Sequence, residues 1–244
     1  MSTKWENFLK NQGEWWGSFT KISLEGEVLE STPTILNLEV FDGQKAVQFR
    51  LRRFGQGNYD SAPTQDDQQE YRSLGRQVIF FETGAFSKGS LQVAPFTQFG
   101  AEYGFVFADR RLRFVQLYND QGDFDSLTLI REFRSGTNAT ERPPLTLDQL
   151  IGHWEGEACA IAPDWQEPNL SPSQTTFKKV DEKHLSLQSM YGDHQQSLTG
   201  KIEDTLIHFQ DEVPKQMNLL PDGSSIISPL KVSHRQSFSV EAGC

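Results

Sequence analysis

Short runs in which apolar and polar residues alternate dominate the chain, and they indicate β-strands. The run 34–41 (TILNLEVF) alternates and ends at Asp42-Gly43, a pair typical of a hairpin turn. The run 46–54 (AVQFRLRRF) alternates again directly after that turn. Further strands are predicted at 77–82, 90–96, 103–108, 111–118 and 126–133, and in the second half at 184–190, 205–210 and 225–232.

The connections between these strands are short, and this favours an antiparallel meander that closes as an up-and-down barrel behind a short N-terminal helix. A sandwich with the same number of strands is the alternative. The longest polar stretch, residues 57–75, is interpreted as a loop. It is either a lid over the barrel mouth or a solvated loop that contains a short strand.

The chain repeats itself at one fixed offset, which is the pattern of an internal duplication. The match extends from the first strand through Leu91 on Leu230, Phe99 on Phe238 and Gly104 on Gly243 without a net gap. The Gly-x-Trp-x-Gly motif carries the signal best, since Gly13, Trp15 and Gly17 recur 139 residues later as Gly152, Trp154 and Gly156.

The repeat predicts two all-β domains, each preceded by a short helix. Residues 1–134 form barrel one, the polar and turn-rich stretch 135–144 is a linker, and residues 145–244 form barrel two. The counterparts of the strands 111–118 and 126–133 would follow residue 244. Barrel two is therefore expected to be C-terminally incomplete, without its last two strands, and to expose an edge or pair across a homodimer.

Charge and composition restrict the classes of molecule that the protein is expected to bind. The net charge of −10 disfavours a nucleic-acid partner, and 36% apolar with 11% aromatic residues suffices for packed cores. No apolar leader and no run of 18 apolar residues is present, so we expect a cytoplasmic protein without membrane insertion. Cys159 and Cys244 are too few for a disulfide framework.

A helix followed by Gly-x-Trp on the first strand of a small antiparallel barrel resembles the lipocalin (calycin) superfamily. The matching residues are Gly13-Glu14-Trp15 and Gly152-His153-Trp154. The resemblance implies that Trp15 and Trp154 plug the closed end of each barrel. It also implies a basic residue over the ring, Arg113 or Arg131 in barrel one, whereas Trp154 is expected to lack such a partner.

The whole chain is most similar to an uncharacterised cyanobacterial and plastid family of two tandem lipocalin-like barrels, and more distantly to lipocalin-type phycobilin lyases. The resemblance implies binding of a small apolar or amphipathic molecule of the pigment, fatty-acid or isoprenoid class. No cofactor is predicted beyond such a bound pigment or lipid. Two alternatives remain, a bilin-handling lyase or chaperone-like protein, and a scaffold that binds a partner strand at the open edge of barrel two.

The ligand is expected in barrel one, because 15 of the 18 phenylalanines precede residue 140. The alternative is that these rings are ordinary packing. Arginines that point inward would bind a carboxylate, whereas outward ones would only decorate the surface. The candidate ligand-binding residues are Phe49, Phe80, Phe105, Phe107, Phe114, Arg50 and Arg113, and the candidate structural plug consists of Trp15, Trp154 and Arg131.

Neither catalysis nor metal binding is predicted. No Gly-x-Ser-x-Gly motif is present, and the first half contains neither Cys nor His. All five histidines lie in the second half without the spacing of a metal site. We therefore expect a binding protein rather than an enzyme.

Overall fold

The computed structural model describes residues 2–55, 58–90, 93–161, 168–233 and 240–244. Two antiparallel β-sheets follow one another, each curled into a half-barrel and each preceded by a short helix, and this confirms the predicted all-β class. Helix α1 is Lys4–Leu9 and helix α2 is Leu147–Leu150. Each helix begins with a capping box, in which Thr3 and Thr146 exchange hydrogen bonds with the third helical residue.

The first sheet has nine strands in the order β4-β3-β2-β1-β9-β8-β7-β6-β5. Strands that are consecutive in the sequence lie side by side, except β4 and β5, which form the two edges of the sheet. In addition, the first strand β1 pairs with the last strand β9. The strands are β1 Gly13–Ile22, β2 Val28–Phe41, β3 Ala46–Arg53, β4 Gln65–Tyr71, β5 Val78–Phe80, β6 Phe86–Gly89, β7 Phe99–Phe107, β8 Arg110–Tyr118 and β9 Phe124–Arg134.

Alternation decides which side chains of the first sheet form its core, because successive residues of a strand point to opposite faces. We call the side that carries Trp15, Leu36, Leu38, Val47 and Leu51 the core face; on β8 and β9 the opposite side is buried as well, as at Phe114 and Leu129. Helix α1 adds the buried ring of Phe8 to the same cluster. The core is thus built mainly by β1, β2 and β3 around Trp15, which has no solvent-exposed surface.

The second sheet has eight strands in the order β10 to β17 along the chain. Its core contains Leu150 of α2 together with Leu185, Leu187, Ile207 and Phe209. The strands are β10 Gly152–Ala160, β11 Asn169–Asp181, β12 His184–Tyr191, β13 His194–Glu203, β14 Leu206–Phe209, β15 Lys215–Leu220, β16 Ser224–Pro229 and β17 Glu241–Gly243.

The first hairpin of each sheet has the same register. Gly13 pairs with Leu38 between β1 and β2, and Gly152 pairs with Phe177 between β10 and β11. These are the positions that the 139-residue offset matches in the sequence. The matches at Leu91 and Phe238 lie outside the described residues.

The chain divides into two compact units that are not contiguous in sequence. The first unit is Met1–Ser90, Gly100–Leu117 and Ser126–Glu141, and the second contains the rest. The second unit therefore includes the turn between β8 and β9, where Gly122 accepts from the amide of Val232 at 2.8 Å. Within it the hydroxyl of Tyr118 also donates to the carbonyl of Pro229 at 3.0 Å.

The predicted strand 90–96 differs from the structure, whereas the polar stretch 57–75 contains a short strand, as one of its two interpretations expected. Residues 93–96 of the predicted strand 90–96 form no strand, and Leu91 and Gln92 lie outside the described residues. The short strand β6 precedes this region instead. The polar stretch 57–75 contains β4, which pairs with β3 from Val47–Tyr71 to Arg53–Gln65. In the described part of the chain, no helix is long and apolar enough to cross a membrane.

Candidate functional site

Two arginines and one glutamate meet on the core face of the first unit. Arg111 and Arg113 alternate along β8, and Glu132 lies on the adjacent strand β9. Nε of Arg111 is 2.7 Å from Oε2 of Glu132, and Nη2 of Arg113 is 2.8 Å from Oε1. All three side chains are buried. One carboxylate thus binds two guanidinium groups away from water, an arrangement that is stable only when each charge is paired.

A second carboxylate balances the charge. Oε1 of Glu102 on β7 accepts a hydrogen bond from Nη1 of Arg113 at 2.7 Å, and the Glu102 side chain is 23% exposed to solvent. We call Arg111, Arg113, Glu102 and Glu132 the charge cluster. With two positive and two negative groups it has no net charge, and Glu102 is its most accessible member.

The pKa values follow from burial and pairing. Burial works to raise the pKa of Glu132, but the charges of Arg111 and Arg113 outweigh it and hold this pKa below the ordinary carboxyl value. Burial lowers the pKa of Arg111 to about 10. At Arg113 the charges of Glu132 and Glu102 outweigh burial and raise the pKa. Glu132 and both arginines are therefore charged at neutral pH.

Aromatic rings lie directly against these guanidinium groups. The guanidinium carbon of Arg111 is 5.4 Å from the ring centre of Trp15, and that of Arg134 is 4.3 Å from the same ring. Arg113 and Arg53 contact Phe19 in the same way, at 5.4 and 5.1 Å. These distances are those of cation–π contacts.

Further polar groups on β3 and β4 adjoin the charge cluster. Arg53 binds Asp67 at 3.2 Å, and the hydroxyl of Tyr71 donates to Gln69 at 3.0 Å. Burial and the nearby charge of Glu102 raise the pKa of Tyr71, so its hydroxyl remains protonated at neutral pH. The core face therefore carries two arginines beside the ring of Phe19, and Glu102 and Tyr71 add an acceptor and a donor to the same face.

The part of the core face next to helix α1 is occupied by the protein's own rings. The centre of Phe8 is 5.3 Å from that of Phe80 and 6.0 Å from that of Tyr71. Phe49 contacts Tyr71 at 6.0 Å, and Phe86 contacts Phe80 at 5.1 Å. This aromatic cluster forms an apolar wall rather than a set of individual ligand contacts.

The predicted ligand-binding residues lie on both faces of the sheet. Phe49, Phe80 and Arg113 lie on the core face. Phe114 alternates with Arg113 and so lies on the opposite face, where its ring meets Phe105 at 6.3 Å.

Two more of the predicted residues point away from the core face. Phe107 stacks on Phe105, with the ring centres 6.4 Å apart, and is 41% exposed. Arg50 alternates with Leu51 and forms an exposed ion pair with Asp66 at 2.6 Å. The sequence shows which residues share a face, but not which face carries Trp15.

The arginines over Trp15 differ from the expected ones. Arg131 donates to Thr20 at 3.2 Å and pairs with Glu141 at 3.0 Å, whereas Arg111 and Arg134 contact the tryptophan. The reason is the register, because β1 and β9 pair Trp15 directly with Arg134. Arg131 is three residues away on β9 and so points to the other face.

Trp154 is not a buried plug. Its side chain is 50% exposed, although its indole N–H donates to the carbonyl of Leu150 at 2.9 Å. The strand β10 lies at the edge of its sheet, whereas β1 lies between β2 and β9. Among the described residues, no strand lies beside Trp154 in the way that β9 brings Arg134 over Trp15.

Sequence reasoning missed the ion pairs that organise the site. Glu132 is 21 residues from Arg111 and 19 from Arg113, and only the β8–β9 register brings the three together. The one available signal was Arg111-x-Arg113 on a strand opposite a strand that carries Glu132. Among the described residues, no three His, Cys, Asp or Glu side chains are placed to hold a metal ion.

Comparison with known proteins gives two family matches. The family described as a domain of unknown function (DUF3598), N-terminal, matches residues 1–137. The C-terminal domain of biogenesis factor required for ATP synthase 1 matches residues 141–244. No curated protein matches the chain.

One solved structure matches nearly the whole chain. It is a protein of unknown function from the DUF3598 family of Nostoc punctiforme, 39% identical, with a TM-score of 0.83. The match covers 96% of this chain and 84% of that one.

Proposed function

Because the chain belongs to the DUF3598 family, whose function is unknown, we propose from the site itself that it is a binding protein whose first unit holds a small amphipathic molecule. The observation that carries this proposal is the contact of Phe19 with Arg113, whose guanidinium also binds Glu102, with the hydroxyl of Tyr71 near enough to feel the charge of Glu102. An apolar wall with a few fixed polar groups is the usual composition of a ligand site.

The charge balance restricts the chemistry of the ligand. Arg113 is already paired with Glu132 and Glu102, and Arg53 with Asp67. A ligand carboxylate would have to displace one of these partners. We therefore expect a neutral polar head, such as a hydroxyl, ester or amide, on an isoprenoid, pigment or esterified fatty acid.

The test is competition for a neutral apolar fluorophore. We expect Nile red to bind the protein, and retinol, which has a hydroxyl head, to displace it more effectively than palmitate. Glu102→Gln should weaken retinol binding by about five- to tenfold, because a charge-assisted hydrogen bond from the retinol hydroxyl becomes a neutral one. Phe107→Ala on the opposite face is the control and should change nothing. Absence of Nile red binding would contradict the proposal.

A second candidate is binding of a protein partner by the second unit. The family that matches residues 141–244 is named as an ATP synthase biogenesis factor, which supports a role in assembly for this chain too. The specific observation is strand β10, where His153, Trp154, Glu155, Gly156 and Glu157 are all exposed. Edges of this kind accept strands from other proteins.

Native mass spectrometry of the tagged protein isolated from its own host distinguishes the candidates. A bound small molecule supports the first, and a stoichiometric protein partner supports the second. A co-purified tetrapyrrole would instead favour the bilin-handling alternative. A protein that carries neither ligand nor partner would contradict both candidates.

A further inference from the structure

Strands β1 and β10, the first of each sheet, pair with the following strand in the same register. On their other side they differ in whether a neighbouring strand is present. Gly13 opposite Leu38 and Gly152 opposite Phe177 mark the shared side. On its second side β1 pairs with β9 from Trp15 to Ile22. Within the described ranges β10 pairs only with β11, so its backbone groups on the second side are available to another strand.

The glycine that the two first strands share, Gly17 in β1 and Gly156 in β10, leaves space for a neighbouring strand. A Cβ atom on Gly17 would lie 1.9 Å from the carbonyl oxygen of Arg131, so only glycine allows β9 to lie against β1 there. A Cβ atom on Gly156 would meet nothing nearer than Oγ of Ser173, at 3.3 Å and on β11. Gly156 is therefore not required by any described neighbour, yet it preserves the clearance that Gly17 uses for a strand.

Charge indicates what kind of strand would bind. Glu155 and Glu157 lie on one face of β10 and are both exposed. In the register that places Gly156 opposite Gly156, two copies of β10 paired antiparallel would bring Glu155 of each copy opposite Glu157 of the other, and like charges on facing strands are destabilising. A strand with basic residues opposite Glu155 and Glu157 would instead be stabilised.

The first sheet also indicates the residue opposite Trp154. Trp15 is paired with Arg134, whose guanidinium carbon lies 4.3 Å from the ring centre. Trp154 presents the same ring, half exposed and anchored by its hydrogen bond to Leu150. An arginine on a docked strand would cover it in the same way.

We propose that the edge of β10 binds an extended basic segment of a protein partner as an added antiparallel strand. Basic side chains of the segment lie opposite Glu155 and Glu157, an arginine lies over Trp154, and the backbone passes close to Gly156. The inference rests on the second proposed function and specifies its surface and the chemistry of its partner.

The test uses a fluorescently labelled peptide, Thr-Val-Ile-Arg-Thr-Lys-Arg, with the whole protein. In the register of β9 on β1, its last residue lies opposite Trp154 and its other two basic residues lie opposite Glu155 and Glu157. The readouts are fluorescence anisotropy and hydrogen exchange of the β10 amides. We expect saturable binding that weakens as salt is added and protects these amides.

Variants separate the docked strand from simple charge attraction. Gly156→Ala should weaken peptide binding at least about tenfold while leaving thermal unfolding of the free protein close to that of the wild type. Glu155→Gln with Glu157→Gln should weaken binding and flatten its salt dependence. Glu182→Gln removes a charge from a side chain that is 91% exposed in the turn between β11 and β12, and it should bind the peptide as the wild type does.

Several outcomes would overturn the inference. One is equal binding of a peptide with glutamate at the three basic positions, and another is unchanged binding by Gly156→Ala. A homodimer that Gly156→Ala dissociates and that excludes the peptide would assign the edge to a second copy. A natural protein partner that Gly156→Ala still retains would overturn this inference but leave the second proposed function standing. Specific peptide binding without any natural protein partner would support this inference about the edge of β10 but contradict the second proposed function.

Discussion

Trp15 donates its indole N–H to the carbonyl oxygen of Asn11, four residues earlier, and the two atoms are 2.9 Å apart. Trp154 makes the same bond to Leu150 at the same distance. Each bond ties the first strand of a sheet to the C-terminal end of the preceding helix, at its last residue Leu150 in α2 and two residues beyond α1 at Asn11. The hydrogen bond of the indole is thus the same in both units. The two rings differ in what lies over them, because Arg134 lies over Trp15 whereas Trp154 is half exposed.

Removal of these two rings should have unequal effects. Trp15→Ala deletes a fully buried ring and should cost about 3–5 kcal/mol of unfolding free energy, because it leaves a cavity in the core. Trp154→Ala deletes a ring that is 50% exposed, so its cost should be clearly smaller. Urea unfolding followed by circular dichroism measures both. Equal losses would contradict the difference in covering that the structure shows.

The matched glycines should also respond differently. Gly17→Ala forces a methyl group against the carbonyl of Arg131 and should destabilise the first sheet by about 1–3 kcal/mol or more. In Gly156→Ala the nearest atom to the new methyl group is Oγ of Ser173 at 3.3 Å, a small side chain that need shift only by a few tenths of an ångström, so the change in stability should stay within about 1 kcal/mol. Thermal unfolding of the two variants beside the wild type measures the effects. A large loss in Gly156→Ala would show that a strand already lies against it.

Much of the first sheet is predictable because alternation is a local property. The hairpin at Asp42-Gly43 and the run along β8 are visible in the sequence alone. The strand β4 is not, because QDDQQEY is polar throughout and Tyr71 is its single aromatic contribution to the core face. Its strand conformation comes from pairing with β3 rather than from its own pattern.

The candidate site depends still more on long-range register. Alternation places Arg111 and Arg113 on one face of β8 but does not say that this face is buried. Which arginine reaches Trp15 is decided by the pairing of β1 with β9, strands that lie more than a hundred residues apart in the sequence. That Arg134, rather than the expected Arg113 or Arg131, lies opposite Trp15 therefore could not be predicted from a single sequence.

Loss of the central carboxylate should disrupt the charge cluster. Glu132→Gln leaves Arg111 without its main partner in a buried position and should cost about 3–5 kcal/mol. Hydrogen exchange of peptides from β8 and β9 measures the effect on the first unit alone. The matched control is Asp66→Asn, which removes an exposed partner of Arg50 and should leave exchange in β8 and β9 unchanged.

The same carboxylate should make the stability of the first unit depend on pH in the acid range. The pKa of Glu132 is lower in the folded protein than its ordinary value of 4.5, so the unfolded chain takes up the proton first as pH falls. Its contribution is fully present above about pH 4.5 and is lost as pH falls through the folded-state pKa. Exchange in β8 and β9 should therefore accelerate, relative to its intrinsic rate, as pH is lowered from 6 to 3. Glu132→Gln has already lost this contribution at pH 7, so its protection should depend less on pH over the same range. Parallel profiles for the wild type and the variant would contradict the assignment of the acid loss to this buried group.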